Sequence, residues 1–250
     1  VKRVKDILAE LANDVTAAIV PAGSSFAAVR SGALFSEAQR VEELWRGLSQ
    51  FLFLSSLRAE EEADKLALDL SAALRSIVAR EGLRVNLTAG PDALAGAMAA
   101  LESVAPRIPG IPVLPSTEAG VPEIGPEVAR FEGWALPAQV GFSAASLPAS
   151  PLGTPQFAHE QALGHILSTS VLWDEIRVKG GAYGASAWTD GSESTFSFSS
   201  YRDPAPVSSL SAYRSALASL ARKELEDREL ERAVVGAAGR DLRPLMPEEK

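Results

Sequence analysis

Apolar residues recur every three or four positions in three stretches of the first hundred residues, a spacing that predicts amphipathic helices. The first stretch follows Ser36, whose hydroxyl is a suitable N-cap for a long helix that extends to Leu52. The second begins near residue 60 and ends at Gly82, and the third opens at Pro91. Each helix presents one apolar face, so all three are expected to pack against a core.

Strict alternation of apolar and polar residues predicts strands between these helices. Residues 83–88 alternate fully, as expected of a half-buried strand. Residues 25–30 predict a weaker strand, with Phe26 and Val29 as the larger apolar positions. Strand and helix signals therefore alternate along the first part of the chain.

The second part of the chain repeats this alternation and ends in two helices. The predicted elements are, in order, a strand at 134–142, a helix at 154–176 that stops at Gly180-Gly181, strands at 182–189 and 194–201, and helices at 210–220 and from about 227. Asp190-Gly191 suits the turn between the two strands.

A proline-rich stretch divides the chain. Six of the sixteen prolines lie within residues 105–127, where neither a helix nor a central strand can persist. We predict a first folded segment at 1–104, a linker at 105–127 and a second segment at 128–250. The elements predict an α+β fold, with helices packed on one face of a mainly antiparallel sheet. A doubly wound parallel fold is the lesser interpretation, because no phosphate-binding glycine loop is present.

The composition excludes several classes of function for these 250 residues. The apolar fraction of 46% can fill a core, and the formal charge of -8, without a dense Lys/Arg run, argues against nucleic acid as a partner. No apolar run approaches the roughly 18–20 residues of a membrane span, so no membrane partner is expected. The absence of cysteine excludes disulfides, thiolate metal sites and a cysteine nucleophile.

Two motifs imitate familiar sites without the required geometry. His159 and His165 are six residues apart, about 120° around a helix, whereas chelation from one helix face needs ligands three or four apart. We therefore predict no metal site in this chain. Ser143 lacks the second glycine of a nucleophile elbow, and the glycines near residue 180 follow a helix rather than precede one, which argues against nucleotide binding.

The most informative stretch runs from Leu172 to Gly184. Arg177 lies at a helix end, Gly180 and Gly181 permit a sharp turn, and Tyr183 starts the next strand. This arrangement brings a guanidinium and a phenol together, where they can hold a substrate carbonyl or stabilise an oxyanion. The alternative is that Arg177 only complements the helix dipole and Tyr183 is an edge residue. Spacing alone leaves both interpretations open.

The stretch 172–184 resembles the C-terminal signature of the pitrilysin/insulinase family of zinc peptidases, in its presequence-protease (falcilysin-like) branch. Residues 199–204, Ser-Ser-Tyr-Arg-Asp-Pro, resemble a second block of that branch. The pattern of residues 233–247 fits the helix and prolines that follow, and the similarity is weaker but collinear over 26–101.

The resemblance implies four homologous α+β domains in two halves that close around a peptide. Zinc would lie in the first half, on a His-x-x-Glu-His helix absent from this sequence. By motif position, Arg177 and Tyr183 would contact the bound peptide and the catalytic centre, and Gly180 and Gly181 would set the turn between them. The chain is then two homologous segments, the end of the third domain (1–104) and most of the fourth (128–250).

The resemblance also sets expectations about partners. We expect the chain to be a C-terminal piece of a zinc metalloendopeptidase that degrades unstructured peptides in a closed chamber, and to be inactive without the zinc-bearing half. Its partners would be the N-terminal half of the same polypeptide, peptide substrates and, for the piece alone, a second copy in a homodimer. The alternative is a non-catalytic structural or docking subunit of the same fold. Localisation is not readable from the sequence, and the cytoplasm is favoured if the protein is bacterial.

Overall fold

A computed structural model describes residues 2–57, 59–110, 128–135 and 138–242. It divides into two compact units, one of Val1–Glu10, Leu57–Pro122 and Pro244–Lys250, and a larger one of Leu11–Ser56 and Glu123–Arg243. Helix α1 spans Lys2–Gly32. Among the described residues, no helix combines the length and apolarity that crossing a bilayer requires.

The smaller unit is helical where it is described. Helices α4 (Ala59–Ile77) and α5 (Pro91–Val104) confirm two of the predicted helices. The strand predicted at 83–88 is wrong, because these residues pair with no described strand and Val85 is exposed. Alternation alone does not stabilise a strand that lacks a neighbour.

In the larger unit, three helices precede the sheet. The strand predicted at 25–30 is wrong, because these residues belong to α1, which kinks at Ala22 after Pro21. Ser36 caps α2 (Glu37–Arg46) by accepting the Gln39 N–H, as predicted. The expected long helix nevertheless breaks at Gly47, where a Cβ would lie 2.5 Å from the Glu43 carbonyl oxygen, and α3 (Leu48–Ser56) follows.

A partly buried ion cluster joins these helices to the segment before the sheet. Arg30 donates to both carboxylate oxygens of Glu132 at 2.8 Å and lies 3.1 Å from Glu43. The Arg30 hydrogen bond is the main cause that lowers the pKa of Glu132 to about 2. Burial opposes the charge of Arg30, but the two carboxylates outweigh it, so the pKa of Arg30 is raised.

The sheet has three antiparallel strands in the order β1-β3-β2, with β1 at Gly141–Pro148, β2 at Gly184–Asp190 and β3 at Thr195–Asp203. Strand β1 starts later than predicted, and Leu136 of the predicted strand lies outside the described residues. Helices α6 (Pro155–Ile166) and α7 (Pro206–Leu220) flank one face, and α8 (Asp227–Asp241) contacts α6. The α+β class is confirmed.

The core lies between that face and the helices, and α1 touches the opposite face. Buried core residues come from the sheet, α7 and the end of the α6 region; they include Leu167, Leu172, Ile176, Ala187, Phe198 and Tyr213. On the other face, hydroxyl groups link α1 to the sheet, because Ser31 and Ser146 share a 2.8 Å hydrogen bond.

The helix predicted at 154–176 begins as predicted but changes register. Thr154 caps α6, and two π-helical stretches follow at Leu167–Val171 and Trp173–Lys179. Just where the register changes, the hydroxyls of Ser168, Thr169 and Ser170 each donate to the carbonyl four residues earlier. Such hydroxyl bonds compete with backbone amides and distort helices.

The division into 1–104, 105–127 and 128–250 stays a prediction, as does the homology of two segments. The compact units group residues 11–56 with 123–243 rather than with 57–104. Residues 111–127 of the predicted linker lie outside the described part of the chain.

Candidate functional site

Two glycines end the π-helical stretch and fix the turn toward β2. Gly181 has φ +77°, which glycine adopts without strain. A Cβ on Gly180 would lie 2.6 Å from the Ile176 carbonyl oxygen, so only glycine fits there. The Ala182 N–H donates to the same carbonyl at 3.1 Å and closes the turn. The turn is thus specified by local sequence, as predicted.

Arg177 stacks on an aromatic ring one helical turn earlier. Its guanidinium carbon lies 3.9 Å from the centroid of Trp173 and 5.9 Å from that of Tyr183. Planar guanidinium on an indole face is a favourable cation–π geometry that holds the charge in place. Within the described part of the chain, no hydrogen bond or ion pair engages this guanidinium.

Lys179 forms ion pairs with both neighbouring acidic residues. Its ammonium lies 2.7 Å from Asp174 and 2.6 Å from Glu175. These hydrogen bonds, with Asp174 first, raise the pKa of Lys179. Because Lys179 engages both carboxylates, neither of them pairs with Arg177 in the described part of the chain, and the Arg177 donors stay available to a ligand.

Tyr183 is held by its backbone and leaves its side chain in solvent. Its N–H donates to the carbonyls of Tyr201 and Arg202 at 3.1 and 3.3 Å, and its side chain is 66% exposed. The Tyr183 ring meets Tyr201 edge-on at 5.9 Å, and Tyr201 meets Phe142 at 5.7 Å. The aromatic rings therefore support Tyr183 from one side only.

A bulge in β3 sets the position of these carbonyls. The register between β1 and β3 shifts opposite Phe142, and Arg202 takes φ +48°, the left-handed region that is unfavourable for a residue with a Cβ. The buried Asp203 then accepts the Ala205 N–H and the Ser209 hydroxyl, which starts α7. The block 199–204 thus has a structural part in placing Tyr183.

The structure brings the predicted Arg177 and Tyr183 together across the turn of Gly180 and Gly181. Their functional roles stay predictions. Sequence reasoning missed Trp173, although a residue four positions before Arg177 is a helix neighbour and gave the signal. It also missed Tyr201, whose place depends on the bulge.

Beside Arg177 lies an open groove with a volume of about 440 Å³. Its lining combines hydroxyls, the Arg177–Trp173 stack and the start of β2; the residues are Ser168, Thr169, Trp173, Arg177, Gly184 and Ala185. Such a mixture of an apolar wall and a few polar groups is typical of ligand sites.

No group of three or more His, Cys, Asp or Glu side chains that fits a metal ion is found among the described residues. His159 and His165 both lie on α6, and the ring of His165 occupies space that Gly236 of α8 leaves free. The residues that the structure describes therefore do not bring three zinc ligands together, and no step is assigned to zinc in this chain.

Family profiles match both ends of the chain. Residues 1–57 match the domain associated with subfamily C of the M16 peptidases, and residues 155–250 match the "PreP C-terminal domain". The chain is 30% identical, over 93% of its length, to a mitochondrial presequence protease of Gibberella zeae. It belongs to the presequence-protease branch of the pitrilysin/insulinase family. Membership in this family of proteases confirms the resemblance carried by residues 172–184 and 199–204.

Two further relatives match the chain over similar lengths. A chloroplastic/mitochondrial presequence protease of Arabidopsis thaliana is 30% identical over 87% of the chain, and an uncharacterized protein of Borreliella burgdorferi is 25% identical over 96%. The chain covers 23%, 20% and 24% of these three relatives, and so spans about a fifth to a quarter of their length.

Proposed function

We propose that the full-length protein is a zinc metalloendopeptidase that degrades unstructured peptides in a closed chamber, and that this chain supplies Arg177 and Tyr183 to the bound peptide. Membership in a family of presequence proteases supports the peptidase class. The observation that supports the residue roles is the uncommitted guanidinium of Arg177, stacked on Trp173 and 5.9 Å from the ring of Tyr183.

The two residues act on the carbonyl oxygen of the scissile amide. When water adds to that carbonyl, its oxygen becomes negatively charged. A guanidinium and a phenol that already point at this position stabilise the charge, because they need no reorganisation during the reaction. Trp173 holds the Arg177 plane, and the turn at Gly180 and Gly181 fixes the distance between the two donors.

The rest of the active site belongs to the partner half in this proposal. Zinc, its ligands and the general base come from the N-terminal half of the same polypeptide, so the present chain alone does not cleave peptides. The names of the relatives place them in mitochondria or chloroplasts. For the present protein we keep the expectation of a cytoplasmic location if it is bacterial.

The test is peptide hydrolysis by the full-length protein. We expect cleavage of an unstructured peptide and little cleavage of a stably folded protein of similar size. The variant Arg177→Lys keeps the charge but loses the planar fork and should lower the rate. Arg214→Lys, an exposed arginine on α7, is the matched control.

Two outcomes would contradict the proposal. A full-length protein that binds but never cleaves peptides would favour the non-catalytic docking subunit. Cleavage that is equally fast in wild type and Arg177→Lys would leave the peptidase class in place and remove Arg177 from the site.

A further inference from the structure

Among the strands that the structure describes, β2 forms an outer edge of the sheet, because the strand order is β1-β3-β2. At Ala187 this edge is closed: the Ala187 N–H donates to the Ser168 hydroxyl oxygen at 2.8 Å, and that hydroxyl lies 3.0 Å from the Ala187 carbonyl. The backbone amide groups of Ala187 therefore face away from β3 and toward the π-helical stretch.

Two residues earlier, the same edge is open. Backbone direction alternates along an antiparallel strand, so the N–H and carbonyl of Ala185 face the same way as those of Ala187. Ala185 lines the groove, and within the described part of the chain no side chain or loop caps its outward amide groups. The Ala185 methyl packs on the core, which fixes this orientation.

The groove therefore presents one backbone donor and one backbone acceptor beside the guanidinium of Arg177. An open edge with both groups is a template for another extended chain, whereas most small ligands do not match the spacing of a strand. The groove is open to solvent beside Ala185, so an extended chain can reach this edge. The Ser168 hydroxyl already occupies the outward amide groups of Ala187. A second chain can therefore pair with the β2 backbone only at Ala185.

We propose that an extended peptide pairs with β2 at Ala185, exchanging two backbone hydrogen bonds there while Arg177 holds a neighbouring carbonyl. This inference rests on the proposed function and adds how the peptide is read. Pairing through the backbone tolerates many side chains, but it requires a free N–H on the paired residue. Peptides with proline at that position are therefore poor ligands.

The experiment measures binding of a fluorescent, unstructured peptide to the full-length protein by anisotropy, with a chelator present to prevent turnover. A series of peptides carries one N-methyl group each, placed on successive backbone nitrogens. The variant Ala185→Pro removes the outward donor and leaves the β2–β3 ladder unchanged, as proline is tolerated on an edge. Ser186→Ala, whose amide faces β3, is the control variant.

We expect Ala185→Pro to weaken binding roughly fivefold, the contribution of a typical net hydrogen bond. One N-methylated peptide should also bind roughly fivefold more weakly to wild type. Because both changes disrupt the same pair, their combined effect should be clearly less than the product. Ser186→Ala should bind all peptides as wild type does.

The inference would be overturned if the affinity loss caused by Ala185→Pro simply multiplies with the loss caused by N-methylation at every position of the peptide. If Ala185→Pro does not fold, wild type alone decides: equal binding of the whole N-methyl series would overturn it, and loss at one position supports it. Peptide cleavage that depends on Arg177, with no coupling at Ala185, leaves the proposed function intact. Absence of both binding and cleavage removes the proposed function as well.

Discussion

Replacing Glu132 with glutamine tests the partly buried ion cluster of Arg30, Glu43 and Glu132. Each Glu132 carboxylate oxygen accepts two hydrogen bonds. Oε1 accepts from Arg30 and the Ala129 N–H, and Oε2 accepts from Arg30 and the Trp134 indole N–H. Whichever way the amide of Glu132→Gln is oriented, its NH₂ group faces two donors. The variant therefore loses the charge and at least two hydrogen bonds, and it leaves Arg30 with Glu43 as its only carboxylate within the cluster.

The magnitude follows from the pKa of Glu132, which falls from an ordinary 4.5 to about 2. At about 1.4 kcal/mol per unit, that shift corresponds to roughly 3.4 kcal/mol of stability for a fully enclosed group. The Glu132 side chain keeps some exposure, so solvent screening reduces the expected loss to about 2 kcal/mol. The group is ionised in the folded state, so its contribution is present above pH 4.5 and is lost as the pH falls toward 2.

The assay is urea denaturation of the 250-residue chain, followed by tryptophan fluorescence, since Trp134 contacts the cluster directly. The free energy of unfolding should be about 2 kcal/mol higher for wild type than for Glu132→Gln at pH 7. This difference should shrink as the pH falls from 4.5 to 3. Glu231→Gln, an exposed glutamate on α8, is the control. A difference below about 0.5 kcal/mol at pH 7, or one independent of pH, would mean that the Glu132 carboxylate does not stabilise the fold through Arg30.

Three further predictions concern the turn, the surface and metal. Gly181→Ala should cost about 1–2 kcal/mol in urea denaturation, because φ is +77°, whereas Gly184→Ala, with open space around it, should not; equal costs would contradict this. The α4 face is exposed (Leu74 60%, Ile77 79%), so the chain should dimerise in sedimentation velocity and the double change to glutamine should prevent it; a monomer at all concentrations would contradict this. Elemental analysis should find no stoichiometric zinc; one tight zinc lost in His159→Ala would overturn that.

The sequence predicted the elements whose signals are local. Ser36 and Thr154 cap their helices with their own hydroxyls. The glycine pair at 180–181 ends a helix, because no Cβ fits at Gly180 and Gly181 takes a positive φ. The strands predicted at 25–30 and 83–88 were wrong, because a strand is stable only beside a partner strand. Neither segment has such a partner among the described residues. Local composition carries no information about that partner.

The candidate site was predictable in part for the same reason. Arg177 and Tyr183 come together through a turn that the sequence specifies, and Trp173 was recognisable by its helical spacing. The position of Tyr201 depends on a β-bulge, and the open edge at Ala185 depends on strand order and on Ser168 from another element. Such features arise from tertiary pairing, which periodicity does not encode.

In the proposed function, Tyr183 stabilises the charge that develops on the scissile carbonyl. The most direct measurement is steady-state cleavage of an unstructured peptide by full-length Tyr183→Phe, which removes only the exposed hydroxyl. We expect kcat to fall roughly 10²–10³-fold, equivalent to about 2.7–4 kcal/mol, with KM and folding unchanged. A higher KM with kcat preserved would make Tyr183 a ground-state binding residue, and wild-type kinetics would contradict the claim outright.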